Sequence, residues 1–383
     1  MADRILTTHA GSLPRPLALT GLYARRAAGG AVDEAELARA GKAALIDILA
    51  RQAESGVDIA NNGEQQREAF FLYLRHRLSG LGGQWQRPPR ADVADHPDFQ
   101  EAMANALDGK IAVSNMEPPK AIGAVAHVKP EACEEECADF DKALQAGGYG
   151  FAGTFLTAPS PGIVAAAMKN EHYDSEEAYL DALAAALRVE YETILRHGHQ
   201  LQLDCPELGL EGHLTYAGRP KEFQKFVERA IAAIARAVDG LPRERIRLHM
   251  CWGNTESPHD RDTPLADIWE IVKQAPVGGF VLPFANPRHA HEWRSLRDSP
   301  PASDQTIAAG VIDTLTNFVE HEVVVADRLE TVARALGDPS RVLACTDCGF
   351  DTSAGWGRVA PSVVWSKLQS MAQGARIATE RLF

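Results

Sequence analysis

The chain has 383 residues, 45% hydrophobic, 24% charged and 7% aromatic, enough for a full core in one large domain. A net charge of −13, with no run rich in Lys and Arg, argues against a general binder of nucleic acid or anionic membranes. No apolar run reaches the roughly 20 residues of a spanning helix, and the N-terminus shows no apolar signal region. A cytoplasmic protein is expected. Six cysteines are too few for a disulfide scaffold and point to metal or reactive thiol in a reducing compartment.

In chain order, the expected strands are Ile5–His9, Val57–Gly63, Ala152–Pro159, Leu201–Asp204, Ile246–Cys251, Phe280–Phe284, Ile307–Asp313 and Val342–Asp347. Helical periodicity predicts helices over Asp33–Glu54, Ser175–His197, Lys221–Val238, Thr263–Gln274, Val319–Leu336 and Pro361–Leu382. Repeated strand-then-helix units predict a parallel sheet. Eight of them fit an α/β fold of the (β/α)8 TIM-barrel type, with an open doubly wound sheet as the alternative. Residues 79–149 break the alternation with Trp85, Pro88, Pro89 and the Glu134–Glu136 run. They are read as an insertion after the second strand, with a hairpin around Ile111–Val128, inside a single domain spanning 1–383.

The expected strands end in polar or special residues: Thr8-His9-Ala10-Gly11-Ser12, Asn61-Asn62-Gly63-Glu64, Asp204-Cys205-Pro206-Glu207, His249 to Asn254, and Cys345-Thr346-Asp347-Cys348-Gly349. In a parallel barrel those ends meet on one face, where active sites lie. The sharpest pattern is His249-x-Cys251. On a strand, residues i and i+2 point to one side, so an imidazole and a thiolate emerge together. Zinc takes such N and S ligands, and catalytic sites keep a position open. Cys348, in an Asp-Cys-Gly turn, is the best third ligand. Singly, His249 also reads as a hydrogen-bonded core histidine and Cys251 as a small hydrophobe. Cys345-x-x-Cys348 also fits a redox pair. Cys133 and Cys137 read as incidental. Glu64 and Asp204 can bind an amine or orient a ligand histidine. The segment Asn286–Glu292, with His289 and His291, reads either as a second metal site or as a capped polar network. Arg288 is a candidate for meeting a substrate anion. Asp313, Asn317, Glu320 and His321 can line the same face.

Taken together, TTHAGSLPRP (7–16), GVDIANNGEQQREAF (56–70), APSPG (158–162), LQLDCPEL (201–208), RLHMCWGN (247–254), FANPRHAHEW (284–293), GVIDTLTNFVEH (310–321) and TDCGF (346–350) resemble a known family. It is the catalytic C-terminal barrel of cobalamin-independent methionine synthase and its single-barrel relatives, including epoxyalkane:coenzyme M transferase. The resemblance implies Zn2+ held by His249, Cys251 and Cys348. It implies that Ser12, Glu64 and Asp204 hold the amino-acid part of a thiol substrate. The chemistry implied is attack of a metal-activated thiolate on an electrophilic carbon.

Three departures stand out. The family's glutamate ligand after HxC is replaced, with Pro283 in its place, leaving Glu207, Asp347 or water to complete the shell. The family's Asp-x-His reads Asp313-Thr314-Leu315, so the acid is open between His9, His321 and Asp313. Asp-Glu-Pro reads Asp204-Cys205-Pro206. The leading expectation is a zinc-dependent S-methyltransferase acting on homocysteine in methionine biosynthesis. Thiol addition to an epoxide, a C–S lyase running related chemistry in reverse, and a barrel with structural zinc are the alternatives. Sulfonate recognition would want Arg15 or Arg288. The expected partners are a small-molecule thiol and a methyl or alkyl donor. A corrinoid-protein donor and a homo-oligomer stay open, and neither nucleic acid nor membrane is expected.

Overall fold

The computed structural model describes residues 3–107 and 109–383. In chain order it contains α1 (Leu17–Ala27), α2 (Glu34–Glu54), β1 (Ile59–Ala60), β2 (Leu81–Gly82), α3 (Ala91–Ala94), α4 (Pro97–Leu107), β3 (Lys120–Ala121), α5 (Pro130–Gly147), β4 (Gly153–Pro159), α6 (Pro161–Ala167) and α7 (Glu176–Arg196). Then follow β5 (Gln200–Asp204), α8 (Glu207–Leu210), α9 (Pro220–Ala237), β6 (Ile246–His249), α10 (Leu265–Val272), β7 (Gly279–Pro283), α11 (Trp293–Asp298), β8 (Thr306–Ile312), α12 (Glu322–Leu336), β9 (Val342–Thr346) and α13 (Pro361–Leu382). No described helix is long and apolar enough to cross a membrane.

The longer helices form where the sequence carries both a start signal and an apolar stripe. The Asp33 carboxylate accepts from Ala35 N–H at the start of α2, and the Ser175 hydroxyl accepts from Ala178 N–H at the start of α7. Each such cap contributes about 1 kcal/mol. Along α9, Phe223, Phe226, Val227, Ala230, Ile231 and Ile234 recur at helical spacing and are all buried. Fully burying side chains of that size contributes roughly 1.5–3 kcal/mol each.

Seven strands form one parallel sheet in the order β1-β4-β5-β6-β7-β8-β9. β6 and β7 are buried along their whole length, as parallel strands covered on both faces should be. The first expected strand, Ile5–His9, contributes only a bridge at Thr7. It nevertheless touches both edges of the sheet. Thr8 N–H donates to Ala344 O (2.8 Å), Ala344 N–H to Leu6 O (2.9 Å), and Ile59 N–H to Thr7 O (2.9 Å). The second expected strand shrinks to β1 because Asn61 and Asn62 turn the chain. Their side-chain oxygens accept from Gly63 and Glu64 N–H (2.7 and 3.0 Å), and such local bonds compete with a ladder.

The segment 79–149 divides in two. α5 packs against α2 and α7, in line with the other helices outside the sheet. The remainder pairs β2 with β3, Leu81 opposite Ala121. The expected hairpin within Ile111–Val128 is therefore absent: Lys120–Ala121 pairs backwards with 81–82, and the intervening stretch holds α3 and α4.

Candidate active site

The register between β5 and β6 builds the core of the site. Gln202 stands opposite Arg247, and Asp204 opposite His249. The two-residue pleat sends all four side chains to one side, where they form a chain. Arg247 Nε donates to Gln202 Oε1 (2.9 Å), Gln202 Nε2 to Asp204 Oδ1 (2.8 Å), and His249 Nδ1 lies 3.1 Å from the same Asp204 oxygen. With Nδ1–H donating to the carboxylate, the lone pair of Nε2 points the other way. Nε2 is buried and has no hydrogen-bond partner.

Cys251 follows two residues after His249, and Cys348 follows the end of β9. His249, Cys251 and Cys348 are all buried and bring one ligand atom each to within 4.8 Å of one another. Cys348 is held by its neighbours. Thr346 Oγ1 donates to Cys348 O (2.8 Å) and accepts from Ala10 N–H (3.0 Å). A Cβ on Gly349 would lie 2.1 Å from Ser12 Oγ, so only glycine lets this turn close on the first segment. An orphaned imidazole nitrogen beside two thiols is a donor set that a soft divalent metal satisfies. The residues therefore fit zinc. Without a metal, the proton that such an ion would displace rests on the histidine. Burial opposes the charged imidazole, but Asp204 and Cys251 outweigh it and raise His249 to about 10. Cys348 and His249 in turn hold the Cys251 thiol well below its usual value.

The same residues line a cavity of about 160 Å³ together with Ser12, Glu64 and Asp204. Glu64 sits in the left-handed region at φ 56°, forced there by the Asn61-Asn62 turns. Thr157 Oγ1 donates to its Oε1 (2.9 Å), while Oε2 is buried without a partner. Burial and the nearby Asp204 charge push the Glu64 carboxyl up to about 7. The Ser12 hydroxyl accepts from Asp351 N–H (3.3 Å).

Other expected residues are placed elsewhere. His9 is buried with Nε2 against Gln52 Oε1 (2.9 Å) and Nδ1 accepting from Gly11 N–H (3.3 Å). Burial lowers it to about 4. His321 caps α12 and is exposed. Asp313 binds Leu315 N–H and the Thr316 hydroxyl and borders a smaller cavity on the far side of Cys251 and Cys348. Arg15 commits its guanidinium to Asp351, Arg67 O and Glu64 O. Arg288 donates to His259 O. Neither arginine lines the cavity beside the cysteines. Asp347 accepts from three backbone N–H groups, of Phe284, Ala285 and Asn286 (2.7–3.0 Å). Its carboxylate thus holds the loop after β7.

The six cysteines are all unpaired. Cys345 packs in a small apolar cluster with Ala10, Val281 and Ala308, and burial raises its thiol to about 12. Both it and Cys348 are free thiols, and it does not join the group that Cys348 forms with His249 and Cys251. Cys205 is buried beside Asp204 and Glu207, and Cys133 and Cys137 are buried in α5.

One feature escaped sequence reasoning and a second was read only in part. Arg87, Arg90, Asn115 and Trp356 line the cavity; the first three come from the irregular 79–149 segment, which has no periodicity to place them. Asp262 gathers three imidazoles: His259 and His289 on Oδ2 (2.8 Å each) and His213 on Oδ1 (2.8 Å). His289 also stacks on Trp252 at 4.0 Å, bracing the loop that carries Cys251. The density of histidines at 286–292 was the visible signal; His291 stays exposed, outside that cluster.

No family model matches the chain. It is similar to curated proteins named methionine synthase. The one from Pyrococcus abyssi is 24% identical over 98% of this chain and 93% of its own length. The one from Saccharolobus solfataricus is 21% identical over 98% and 95%. Among solved structures, a B12-independent methionine synthase from Shewanella sp. W3-18-1, in complex with selenomethionine, superposes with a TM-score of 0.72. It covers 99% of both chains at 21% identity. A putative vitamin-B12 independent methionine synthase from Listeria monocytogenes gives 0.63, with 98% of both chains covered at 19% identity. The resemblance carried by the motifs thus extends over nearly the whole chain.

Proposed function

From this kinship with the methionine synthases, we propose that the chain is a zinc-dependent thiol S-methyltransferase with homocysteine as acceptor. The observation that carries the reading is the meeting of an unpartnered His249 Nε2 with Cys251 and Cys348 at the wall of a cavity. In the same reading the sheet is a closed (β/α)8 barrel, the eighth place taken by Leu6–Thr8.

His249, Cys251 and Cys348 would hold the metal. Zinc, when bound, lowers the pKa of an acceptor thiol so that a thiolate exists near neutral pH. Asp204 fixes the His249 ring and its tautomer, and Gln202 and Arg247 fix Asp204. Glu64, with one oxygen anchored by Thr157 and one free, receives the ammonium of an amino-acid thiol. Charge-assisted bonds of this kind orient the ligand as well as hold it, and orientation is a large part of bimolecular catalysis. β7 ends at Pro283, where the family's glutamate ligand would stand, and Asp347 is committed to backbone N–H groups; Glu207 is bonded to Ser160 through Oε1, while its Oε2 is buried without a partner.

The corrinoid-protein donor raised from the sequence is withdrawn, because the structures that match are described as B12-independent enzymes. The donor is read as a small methylated or alkylating molecule. The test is methyl transfer to homocysteine by metal-stripped and zinc-reconstituted protein, with methionine read by mass spectrometry. Zinc-dependent methionine formation is expected. Turnover that ignores zinc, or release of free thiol from a thioether without any acceptor, would overturn the reading.

A further inference from the structure

Arg90 differs from the other cations at the site. Arg87 is paired with Glu211 (2.9 Å) and Arg15 with Asp351 (3.0 Å). Among the described residues, no carboxylate oxygen lies within 4.0 Å of the Arg90 guanidinium. Its side-chain partner is the hydroxyl of Thr255. The anionic groups that act on it are Asp92, Asp262 and the Cys251 sulfur; the two carboxylates are engaged elsewhere, and Cys251 belongs to the proposed metal site. Asp92 accepts from Ser257 Oγ and His259 N–H, and Asp262 is bonded to His259 and His289 through Oδ2, with His213 Nδ1 2.8 Å from its other oxygen.

The guanidinium also packs against the loop that carries Cys251. Its two terminal nitrogens lie 2.8 and 3.1 Å from where a Cβ on Gly253 would stand, two residues beyond Cys251. Arg90, Gly253 and Thr255 line the same cavity as Glu64 and Cys348. A guanidinium stays charged in a protein, and taking it partly out of water without an anion is costly. Its planar fork matches carboxylate or sulfonate oxygens. The cavity therefore offers an acceptor for a cation at Glu64, sulfur-binding groups at the wall, and an unpaired donor for an anion at Arg90.

We propose that Arg90 is the specificity-determining receptor for the acidic group of a short thiol substrate, a carboxylate or sulfonate carried a few bonds from the sulfur. The inference rests on the thiol-binding reading above and adds to it the group that selects the thiol.

The test is calorimetric titration of the zinc-loaded protein with homocysteine, with 3-aminopropane-1-thiol, which lacks only the carboxylate, with 2-mercaptoethanesulfonate, and with thiol-free 2-aminobutyrate. Wild type should prefer an anionic thiol to 3-aminopropane-1-thiol by about tenfold or more. Arg90→Gln should erase that preference while leaving affinity for 3-aminopropane-1-thiol unchanged, which also shows that the variant is folded. Arg90→Lys should restore part of it. Tight binding of the sulfonate in place of homocysteine would keep the role of Arg90 and identify the acid. Equal losses for charged and uncharged thiols, or no loss for either, would overturn the proposal. If no thiol binds but 2-aminobutyrate binds in an Arg90-dependent way, the thiol reading falls and the anion receptor stands. If neither thiols nor 2-aminobutyrate bind, both fall.

Discussion

Asp204 is the residue on which metal, substrate and scaffold converge. Its Oδ1 receives both Gln202 Nε2 and His249 Nδ1, and its side chain also faces the cavity. Replacing it with Asn keeps the shape and removes the charge that orders the His249 ring. Zinc affinity of Asp204→Asn, measured by competition with a chelator, should fall about 10–100-fold; an unchanged affinity would remove Asp204 from that role. His249 and Asp204 were legible in the sequence because a strand imposes a two-residue period, and the period says which side chains share a side; Cys251 lies two residues past the end of β6, so the expected strand Ile246–Cys251 was too long at that end. Arg90 was not legible, since it lies in an irregular stretch whose position is set only by tertiary contacts. The candidate acids show the opposite error. His9 and His321 have suitable chemistry, but one is enclosed beside Gln52 and the other caps a helix in solvent. Chemistry read without reach overcounts histidines.

At the level of elements, the strand ends do two things at once: they stop the ladder and aim side chains. Asn61 and Asn62 end β1 and twist Glu64 into its left-handed backbone, and Gly349 lets the β9 turn close on Ser12. The link between β4 and β5 is similar. The Ser160 hydroxyl caps α6 by accepting from Ile163 N–H (3.0 Å) and donates to Glu207 Oε1 (2.6 Å) at the start of α8. Burial raises the Glu207 carboxyl to about 8, against an ordinary value of 4.5. A group that holds its proton more tightly when folded supports the fold fully below 4.5. That support is lost as pH rises toward 8. Glu207→Gln keeps the Ser160 bond and has no proton to lose. Its melting temperature relative to wild type should therefore rise by several degrees from pH 5 to pH 8. A constant difference would show that Glu207 is ionised in the fold. Helix boundaries were legible to within two or three residues because caps such as Asp33 and Ser175 are local. Strand lengths were overread at Ile5–His9 and Val57–Gly63, where side chains take bonds that a ladder would otherwise use.

Over the whole molecule, the parallel order of the sheet brings the C-terminal ends of β1, β5, β6 and β9 to one mouth. That arrangement turns residues as distant as Ser12, Glu64, His249 and Cys348 into one site. The segment around Thr7 is bonded to both sheet edges, and Ile5 N–H donates to Thr379 Oγ1 of α13 (3.0 Å). The first segment is thus tied both to the sheet and to the last helix. The strand-helix alternation made this class of fold legible from sequence. That the inserted 79–149 segment would reach over the mouth is what inserted loops do; which of its residues line the cavity, Arg87, Arg90 and Asn115, was not legible, because its contacts with the rest of the chain leave no pattern in the segment itself. The site as proposed depends on a metal held by groups from the end of β6, the loop after it and the turn after β9. Metal content per chain, measured by mass spectrometry on wild type, Cys348→Ser and Cys345→Ser, tests this most directly. The account predicts close to one zinc ion per chain in wild type and in Cys345→Ser, and its loss in Cys348→Ser. A Cys348→Ser protein that is folded and keeps its full zinc would contradict it.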